Sequence, residues 1–270
     1  MGRRRDLRSI RNNTFIVSNS PTSNSSRRTS SHPVLKIYVV MPAFNASRTI
    51  AKVFARIPRD VIIKISGFIV IDDGSNDNTM REIKRLKRRY HIMLARHKKN
   101  QGYGSAQKSG FRLALKHNAD VVVLLHSDGQ YPPEMLGKMV EPLLSGKADI
   151  VGGSRWSYGR MLGRGMPVHK YIGNFLLTGI MNLAFRKRLS CYHSGYKAYS
   201  KKALESIDFS RFSDKFDFDS EMLVASFKHN LKIIEIPIPT HYGDEVSYLK
   251  PMEYGLGILR IIGKYIRGYY

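Results

Sequence analysis

Apolar and amphipathic segments alternate along the chain from residue 34 onward, and this alternation is the feature that most constrains the fold. Short apolar runs bounded by turn residues predict buried strands, and segments with helical spacing of apolar residues predict helices between them. The resulting βαβαβαβ order predicts an α/β domain with a mostly parallel central sheet flanked by helices. The predicted strands are 34–42, 65–75, 91–96 and 119–128, and the predicted helices are 47–57, 77–90 and 103–118.

Polar residues follow each predicted strand, at the edge where an open α/β sheet binds its ligands. The fourth strand ends in "HSDGQ", which places His126, Asp128 and Gln130 at alternate positions. An imidazole, a carboxylate and an amide oxygen are all possible ligands of a divalent cation. Each strand end alone is equally typical of a simple turn, but together they predict one binding rim. Its other candidate residues are Pro42, Phe44, Asn45, Asp72, Asp73, Arg96 and Gly102.

Two common nucleotide-binding motifs do not occur in the sequence. The segment "GYGSAQ" has Gly102 and Gly104 but no third glycine three residues further on, so the dinucleotide fingerprint fails, and GxxxxGK[ST] is absent. Cys191 is the single cysteine, which excludes an internal disulfide and a cysteine-based zinc site.

The chain is strongly basic, since 45 Lys and Arg against 21 Asp and Glu give a formal net charge of +24. Such a surface attracts nucleic acid, nucleotide phosphates or an anionic membrane leaflet. The basic run "REIKRLKRR" (81–89) has no interleaved aromatic residues on which bases could stack, so no nucleic-acid partner is expected. Residues 1–33 are rich in Arg, Ser and Asn without an apolar period, which predicts a disordered basic tail; their composition also resembles an organellar transit peptide.

Several motifs in this order resemble those of family-2 glycosyltransferases of the GT-A fold. They include "VVMPAFNAS" (39–47), "VIDDGSNDNT" (70–79), "NQGYGSAQKSGF" (100–111), "HSDGQYPPE" (126–134) and "YHSGYKAYS" (192–200). The resemblance covers roughly residues 35–262 and, within the family, is strongest to dolichyl-phosphate mannose synthases and related polyprenyl-phosphate sugar transferases. It implies a catalytic domain over 34–250 and an inverting transfer from a GDP- or UDP-linked sugar.

The resemblance also implies roles for the residues of the rim. Pro42, Phe44 and Asn45 would wall the nucleotide, Asp72 or Asp73 would accept hydrogen bonds from its base or ribose, and Arg96 and Gly102 would also contact it. Asp128, Gln130 and His126 would hold Mg²⁺ or Mn²⁺ on the diphosphate, with Asp128 also serving catalysis. An Asp commonly stands where this chain has His126, so His126 is expected either to bind the metal or to hydrogen-bond a phosphate.

The acceptor side follows from the same resemblance. Arg155, Lys170 and Asn174 would bind the phosphate of a polyprenyl carrier, and that anionic oxygen attacks without a general base. If the acceptor is instead a glycan hydroxyl, Asp219 or Glu221 is the candidate base, unless they only cap the helix 220–230. A non-catalytic nucleotide-sugar or nucleic-acid binder is the remaining alternative. The family usually has an acid where Cys191 stands, and His193 and Ser194 are further candidates to line the sugar pocket.

The predicted relation to membranes is peripheral. No stretch of 18 apolar residues occurs, and the candidate 171–185 is too short to span a bilayer. Residues 251–270 predict a basic amphipathic helix that either lies on a membrane at the cytoplasmic side or packs on the catalytic domain. Its apolar face would contain Tyr254, Ile258, Ile261, Ile262, Tyr265, Ile266 and Tyr269, and its basic face Arg260, Lys264 and Arg267.

Overall fold

The computed structural model describes residues 35–155, 168–239 and 251–270; the side chains of 168–171 and 251–253 are outside this description. The predicted tail 1–33 therefore lies outside the described residues. Residues Leu35–Tyr270 form one compact unit.

A seven-stranded sheet forms the centre of this unit, in the order β3-β2-β1-β4-β6-β5-β7. All neighbouring strands run parallel except β6, which is antiparallel to both β4 and β5. The prediction of a mostly parallel α/β sheet is confirmed, while the reversed strand β6 was not predicted. The strands are β1 (Ile37–Ala43), β2 (Gly67–Asp72), β3 (Ile92–Arg96), β4 (Val121–Leu124), β5 (Ile150–Ser154), β6 (Lys197–Ser200) and β7 (Ile233–Pro237).

Helices cover both faces of the sheet. The segments predicted as helices are helical, with ends shifted by a few residues as fraying and capping allow. The helices are α1 (Ile50–Ala55), α2 (Arg59–Ile62), α3 (Thr79–Leu86), α4 (Tyr103–Lys116), α5 (Leu136–Leu144), α6 (Val168–Phe185), α7 (Lys201–Ser206), α8 (Phe218–Lys228) and α9 (Pro251–Ile266).

Two hydrophobic clusters hold these layers together, one on each face of the sheet. Successive residues of β1 alternate between them: Val39 and Met41 belong to one cluster, and Tyr38 and Val40 belong to the other. A strand buried on both faces must be apolar at every position, which explains the continuous apolar runs in the sequence.

The C-terminal helix α9 packs on the domain through contacts with α6 and α8. Ile258 and Ile261, on the face predicted to meet a membrane, are buried in the core, and Tyr254, Ile262 and Tyr265 pack against it. Of the two alternatives for this face, packing on the catalytic domain is therefore correct. None of the helices within the described ranges is long and apolar enough to cross a bilayer.

Candidate active site

The residues that follow β4 form the centre of the rim. The Asp128 Oδ1 atom accepts a hydrogen bond from the Gln130 backbone N–H at 2.9 Å, which closes a short turn. Gly129 lies between them with φ 85°, a left-handed conformation that glycine adopts without strain. The turn leaves the Asp128 side chain 42% exposed, so its second carboxylate oxygen is available to a ligand.

His126 lies beneath Asp128 in a cage of aromatic side chains. Its Nε2 atom is 2.5 Å from the Tyr103 hydroxyl, its ring is edge-on to Tyr131, and its Nδ1 atom is 3.8 Å from Asp128 Oδ2. A Cβ atom on Gly195 would stand only 2.6 Å from His126 Nε2, so glycine is required for the backbone to pass this close. The imidazole is thus held from three sides and has little freedom to rotate.

The electrostatics of the rim keep Asp128 ionised. Burial favours the neutral carboxyl, but the neighbouring His126, the Gln130 N–H and the charge of Arg155 together hold the pKa of Asp128 below its ordinary value. At neutral pH the site therefore presents a carboxylate surrounded by cationic and hydrogen-bonding groups.

Two cations meet at this point. The Arg155 guanidinium lies over the Tyr131 ring, 4.8 Å from its centroid. Lys197 is buried, donates a hydrogen bond to the Ser194 carbonyl, and has its Nζ atom 4.0 Å from Asp219 Oδ1. Burial lowers the pKa of Lys197, and the nearby Arg155 acts in the same direction, although Asp219 opposes them.

Lys197 was not predicted from the sequence. It is the first residue of β6, whose antiparallel pairing sets Lys197 opposite Leu124 of β4 and Gly152 of β5. The start of a reversed strand lies at the same edge as the ends of its parallel neighbours, so Lys197 reaches the rim. Its only signal was a lysine inside the otherwise apolar run "GYKAY".

Tyr103 was also missed, although it lies in a quoted motif. Its hydroxyl joins His126 to Asp219, whose Oδ2 atom is 3.0 Å away, and its ring stacks on Phe216. Asp219 lies in the first turn of α8, so the predicted base candidate does reach the rim. It is buried, and its contacts are Tyr103 and Lys197.

Glu221, the second base candidate, lies in a different environment. Its buried carboxylate accepts hydrogen bonds from the Ser213 N–H, the Lys264 ammonium and the Tyr270 hydroxyl. These contacts attach the C-terminal helix and the residues after it to α8. The structure thus gives Glu221 a stabilising position, two residues from Asp219 but on another side of the helix.

Asp72, the last residue of β2, and Asp73, which follows it, have their side chains buried beneath the rim. Asp73 accepts hydrogen bonds from the backbone N–H groups of Gln101 and Gly102 and lies 2.6 Å from His97 Nδ1. Asp72 accepts from the Ser75 N–H and is 3.1 Å from Arg96 Nε. Both carboxylates therefore hold the loops that would form a nucleotide pocket, and contact with the base or ribose stays a prediction.

The remaining residues of the predicted nucleotide wall lie together at the ends of the first three strands. Pro42 is in β1, Phe44 follows it, and Asn45 takes a φ of 50° while its Oδ1 atom accepts a bond from the Asn76 N–H. Arg96 ends β3 with its side chain half exposed. Gly102 has a φ of 104° and lies against the Asp214 carbonyl, where a Cβ atom would stand at 2.4 Å.

On the acceptor side, Lys170 and Asn174 both lie in α6, as their spacing predicted, and Asn174 is half-buried. The Lys170 side chain is outside the described residues.

Cys191 is buried, and burial raises its thiol pKa. His193 bonds the Tyr254 hydroxyl through Nδ1, and burial, helped by Lys197, lowers its pKa to about 4, so its ring is neutral at physiological pH.

The model for glycosyl transferase family 2 matches residues 38–208, which is more than half of the chain and includes most of the rim. The chain belongs to glycosyl transferase family 2. Membership of this transferase family means that the protein is an enzyme, and of the alternatives left open by the sequence it rules out the non-catalytic binder.

Similar proteins support the assignment of this family-2 glycosyltransferase. The chain is 32% identical to an uncharacterised protein of Methanocaldococcus jannaschii, over 77% of this chain and 82% of the relative. It is 29% identical to the UDP-N-acetylglucosamine–dolichyl-phosphate N-acetylglucosaminyltransferase of Methanococcus voltae, over 76% of this chain and 86% of that enzyme. It is 28% identical to the dolichol-phosphate mannosyltransferase of Pyrococcus furiosus, over 75% of this chain and 56% of that enzyme.

Solved structures establish the GT-A fold of the family-2 glycosyltransferase. Glucosyl-3-phosphoglycerate synthase from Mycobacterium tuberculosis, crystallised with Mg²⁺ and UDP, superposes with a TM-score of 0.64 at 20% identity, over 85% of this chain and 80% of that one. The same synthase with Mn²⁺, UDP and glucosyl-3-phosphoglycerate superposes with a TM-score of 0.63 at 20% identity, over 86% of this chain and 79% of that one.

The donor set at the rim fits a divalent cation. Among the described residues no three His, Cys, Asp or Glu side chains are grouped as a metal site. His126 and Asp128 are two possible ligands whose facing atoms are 3.8 Å apart, with Gln130 in the same turn. Nucleotide phosphates and water complete the shell of Mg²⁺ or Mn²⁺ in sites of this kind, so two or three protein ligands suffice.

Proposed function

We propose that this enzyme transfers a sugar from a UDP- or GDP-linked donor to a polyprenyl phosphate, with inversion at the anomeric carbon. The observation that carries the proposal is the position of Arg155, which lies over the Tyr131 ring and whose charge acts on the Asp128 carboxylate. One divalent cation neutralises one diphosphate, and an additional guanidinium suits a second phosphate. Relatives named for dolichyl phosphate acceptors support the same acceptor class.

The mechanism requires no general base. A phosphate oxygen of the acceptor attacks the anomeric carbon, while the bond from that carbon to the nucleotide diphosphate breaks and the diphosphate leaves with the electron pair. Arg155 would hold the attacking phosphate in line, and its charge would favour the approach of two anions. A divalent cation bound by Asp128, Gln130 and His126 would supply charge neutralisation to the leaving diphosphate.

The hydroxyl-acceptor alternative depends on Asp219 as a base. Its Oδ2 atom accepts the Tyr103 hydroxyl, and its Oδ1 atom faces the Lys197 ammonium. Oδ1 has no hydrogen-bond partner among the described residues, but the side chain is buried and its other oxygen is held by Tyr103, so Asp219 is poorly placed to collect a proton from a sugar. The phosphate acceptor is therefore the better match to the geometry.

Arg155→Ala tests the acceptor assignment. We expect transfer to a short-chain polyprenyl phosphate to fall roughly 10²- to 10³-fold, because a charged donor to the attacking group is removed. Nucleotide-sugar affinity, measured by calorimetry, should stay nearly unchanged. Arg112→Ala, which removes an exposed arginine from α4, is the matched control and should transfer normally.

The acceptor assignment would be wrong under a different result. If the wild-type enzyme ignores every polyprenyl phosphate offered but glycosylates a soluble sugar hydroxyl, the phosphate site does not exist and Asp219 becomes the base to test.

We also propose that the enzyme meets this acceptor at an anionic membrane, through a surface that shares only Ile266 with the face the sequence suggested. On α6 every exposed side chain between residues 172 and 183 is apolar, apart from Gly179, and on α9 three more apolar side chains are exposed beside Arg260 and Arg267. We call this the α6–α9 apolar surface. It consists of Ile172, Phe175, Leu176, Ile180, Leu183, Leu256, Leu259 and Ile266.

Charge and position support a bilayer as the occupant of the α6–α9 apolar surface. Arg186, Lys187 and Arg188 follow α6 directly and are exposed, and no acid occurs in α6. Apolar side chains bordered by basic ones suit the boundary between acyl chains and anionic headgroups. Asn174, one of the predicted acceptor-site residues, is next to Phe175 of this surface, so a lipid lying along α6 would reach the predicted acceptor site.

Leu183→Asp should weaken binding to phosphatidylserine vesicles by roughly 30-fold, since about 2 kcal/mol of apolar burial is lost. Leu183 is 83% exposed, so the substitution leaves the core intact. The matched control is Ile63→Asp, at an 81% exposed isoleucine that follows α2. Flotation of both variants with vesicles is the measurement, and equal losses in the two variants would contradict the proposed surface.

A further inference from the structure

The hydrogen bonds around Tyr103 fix which nitrogen of His126 carries a proton. A tyrosine hydroxyl has one hydrogen to donate. Asp219 Oδ2, at 3.0 Å, is a carboxylate oxygen and can only accept. The hydrogen therefore points to Asp219, and the tyrosine oxygen faces His126 Nε2 as an acceptor.

The consequence appears on the other side of the imidazole ring. If Nε2 donates to Tyr103 at 2.5 Å, a neutral imidazole has its lone pair on Nδ1. His126 Nδ1, which carries this lone pair, is 3.8 Å from Asp128 Oδ2. Two hydrogen-bond acceptors that face each other repel, and a cation bound between them would remove this repulsion.

We infer that Tyr103, oriented by Asp219, is a positioning residue that holds His126 as the Nε2–H tautomer and so presents Nδ1, together with Asp128, to a divalent cation. The inference rests on the proposed metal-dependent function and specifies how this chain replaces a carboxylate with a histidine. A ligating imidazole whose other nitrogen donates to an oriented partner is the usual arrangement in metal sites. In this chain the partner is a tyrosine and not a carboxylate.

The inference also predicts a metal preference. Imidazole is a better ligand for transition metals than for Mg²⁺, which prefers oxygen. The enzyme should therefore bind Mn²⁺ more tightly than Mg²⁺, and His126→Asp should reduce this difference by restoring a carboxylate.

The first experiment needs no metal and no substrate. In metal-free protein labelled with ¹⁵N-histidine, two-bond ¹H–¹⁵N correlations at pH 7.5 should show the Nε2–H tautomer for His126, assigned by its loss in His126→Asp. Tyr103→Phe keeps the stacking on Phe216 and should release the tautomer equilibrium. An Nδ1–H tautomer or an imidazolium in the wild type would overturn the inference.

The second experiment measures the metal directly. Pulsed EPR of Mn²⁺ bound with UDP should show coupling to an imidazole nitrogen that His126→Asp abolishes. Tyr103→Phe should weaken Mn²⁺ binding roughly 10- to 100-fold, as loss of such an outer partner does. The matched control is Tyr196→Phe, which loses a buried hydroxyl bonded to the Pro132 carbonyl and should bind Mn²⁺ normally.

The proposed function, the ligand role of His126 and the positioning role of Tyr103 can be tested separately. If wild-type enzyme transfers sugar with Mn²⁺ but shows no nitrogen coupling, the proposed function stands and the role of His126 as a ligand is wrong. If Tyr103→Phe and Tyr196→Phe weaken Mn²⁺ binding equally, Tyr103 acts only through general stability and the positioning role is wrong.

Discussion

Asp128→Ala should reduce sugar transfer roughly 10³-fold, because it removes the carboxylate of the cation site proposed at the rim. Asp128 is held in its turn by the Gln130 N–H and is ionised at neutral pH. Transfer of a radiolabelled sugar, with and without Mn²⁺, is the measurement. The variant should also lose most of the stabilisation that Mn²⁺ with a nucleoside diphosphate gives to the wild type in thermal unfolding.

The control for this loss is a carboxylate away from the rim. Asp208 is exposed and accepts a hydrogen bond from the Ser210 hydroxyl. Asp208→Ala should therefore transfer at the wild-type rate. Full activity of Asp128→Ala, or undiminished wild-type activity in EDTA, would show that the metal role assigned to this residue is wrong.

Glu221→Gln should lower the free energy of unfolding by about 3 kcal/mol, which is the scale for breaking a buried ion pair. The neutral amide loses the charge that faces Lys264 Nζ at 2.7 Å. Its NH₂ group cannot accept a hydrogen bond, so either the bond from the Ser213 N–H or the bond from the Tyr270 hydroxyl is lost. Lys264 is partly exposed, which places the expected value at the low end of the range. Urea unfolding followed by circular dichroism measures it.

Glu205→Gln is the matched control for the ion pair. Glu205 is exposed and lies 3.8 Å from Lys201 one helical turn away, so its loss should change the unfolding free energy by less than about 0.5 kcal/mol. If Glu221→Gln instead unfolds like the wild type and loses transfer activity, Glu221 acts in catalysis and the assignment as a stabilising residue is incorrect.

The strand-end residues illustrate what could be predicted of the site. His126 and Asp128 were located from an apolar run that stops at a polar cluster, since parallel strands bring their ends to one edge. Tyr103 and Lys197 were not located, because each acts through partners far away in sequence: Tyr103 bonds Asp219, and Lys197 reaches the rim through pairing with β4.

The C-terminal helix α9 also shows what could not be predicted from the sequence. Periodicity predicted that α9 is amphipathic, and it is, but periodicity cannot distinguish an apolar face that meets lipid from one that meets the protein's own core. Ile258 and Ile261 pack inward, whereas Ile266 of the same predicted face is exposed, together with Leu256 and Leu259 of α9 and several apolar side chains of α6.

The sequence by itself determined the order of the first four strands and the helices between them, the mostly parallel sheet and most of the segments that form the rim, because local periodicity and turn chemistry depend on neighbouring residues. The tertiary structure decided the reversed direction of β6, the burial of Lys197, the tyrosine between His126 and Asp219, and which apolar faces remain exposed. These features depend on which distant segments pair and pack, and the free energy of that pairing belongs to the whole fold rather than to any one stretch of the chain.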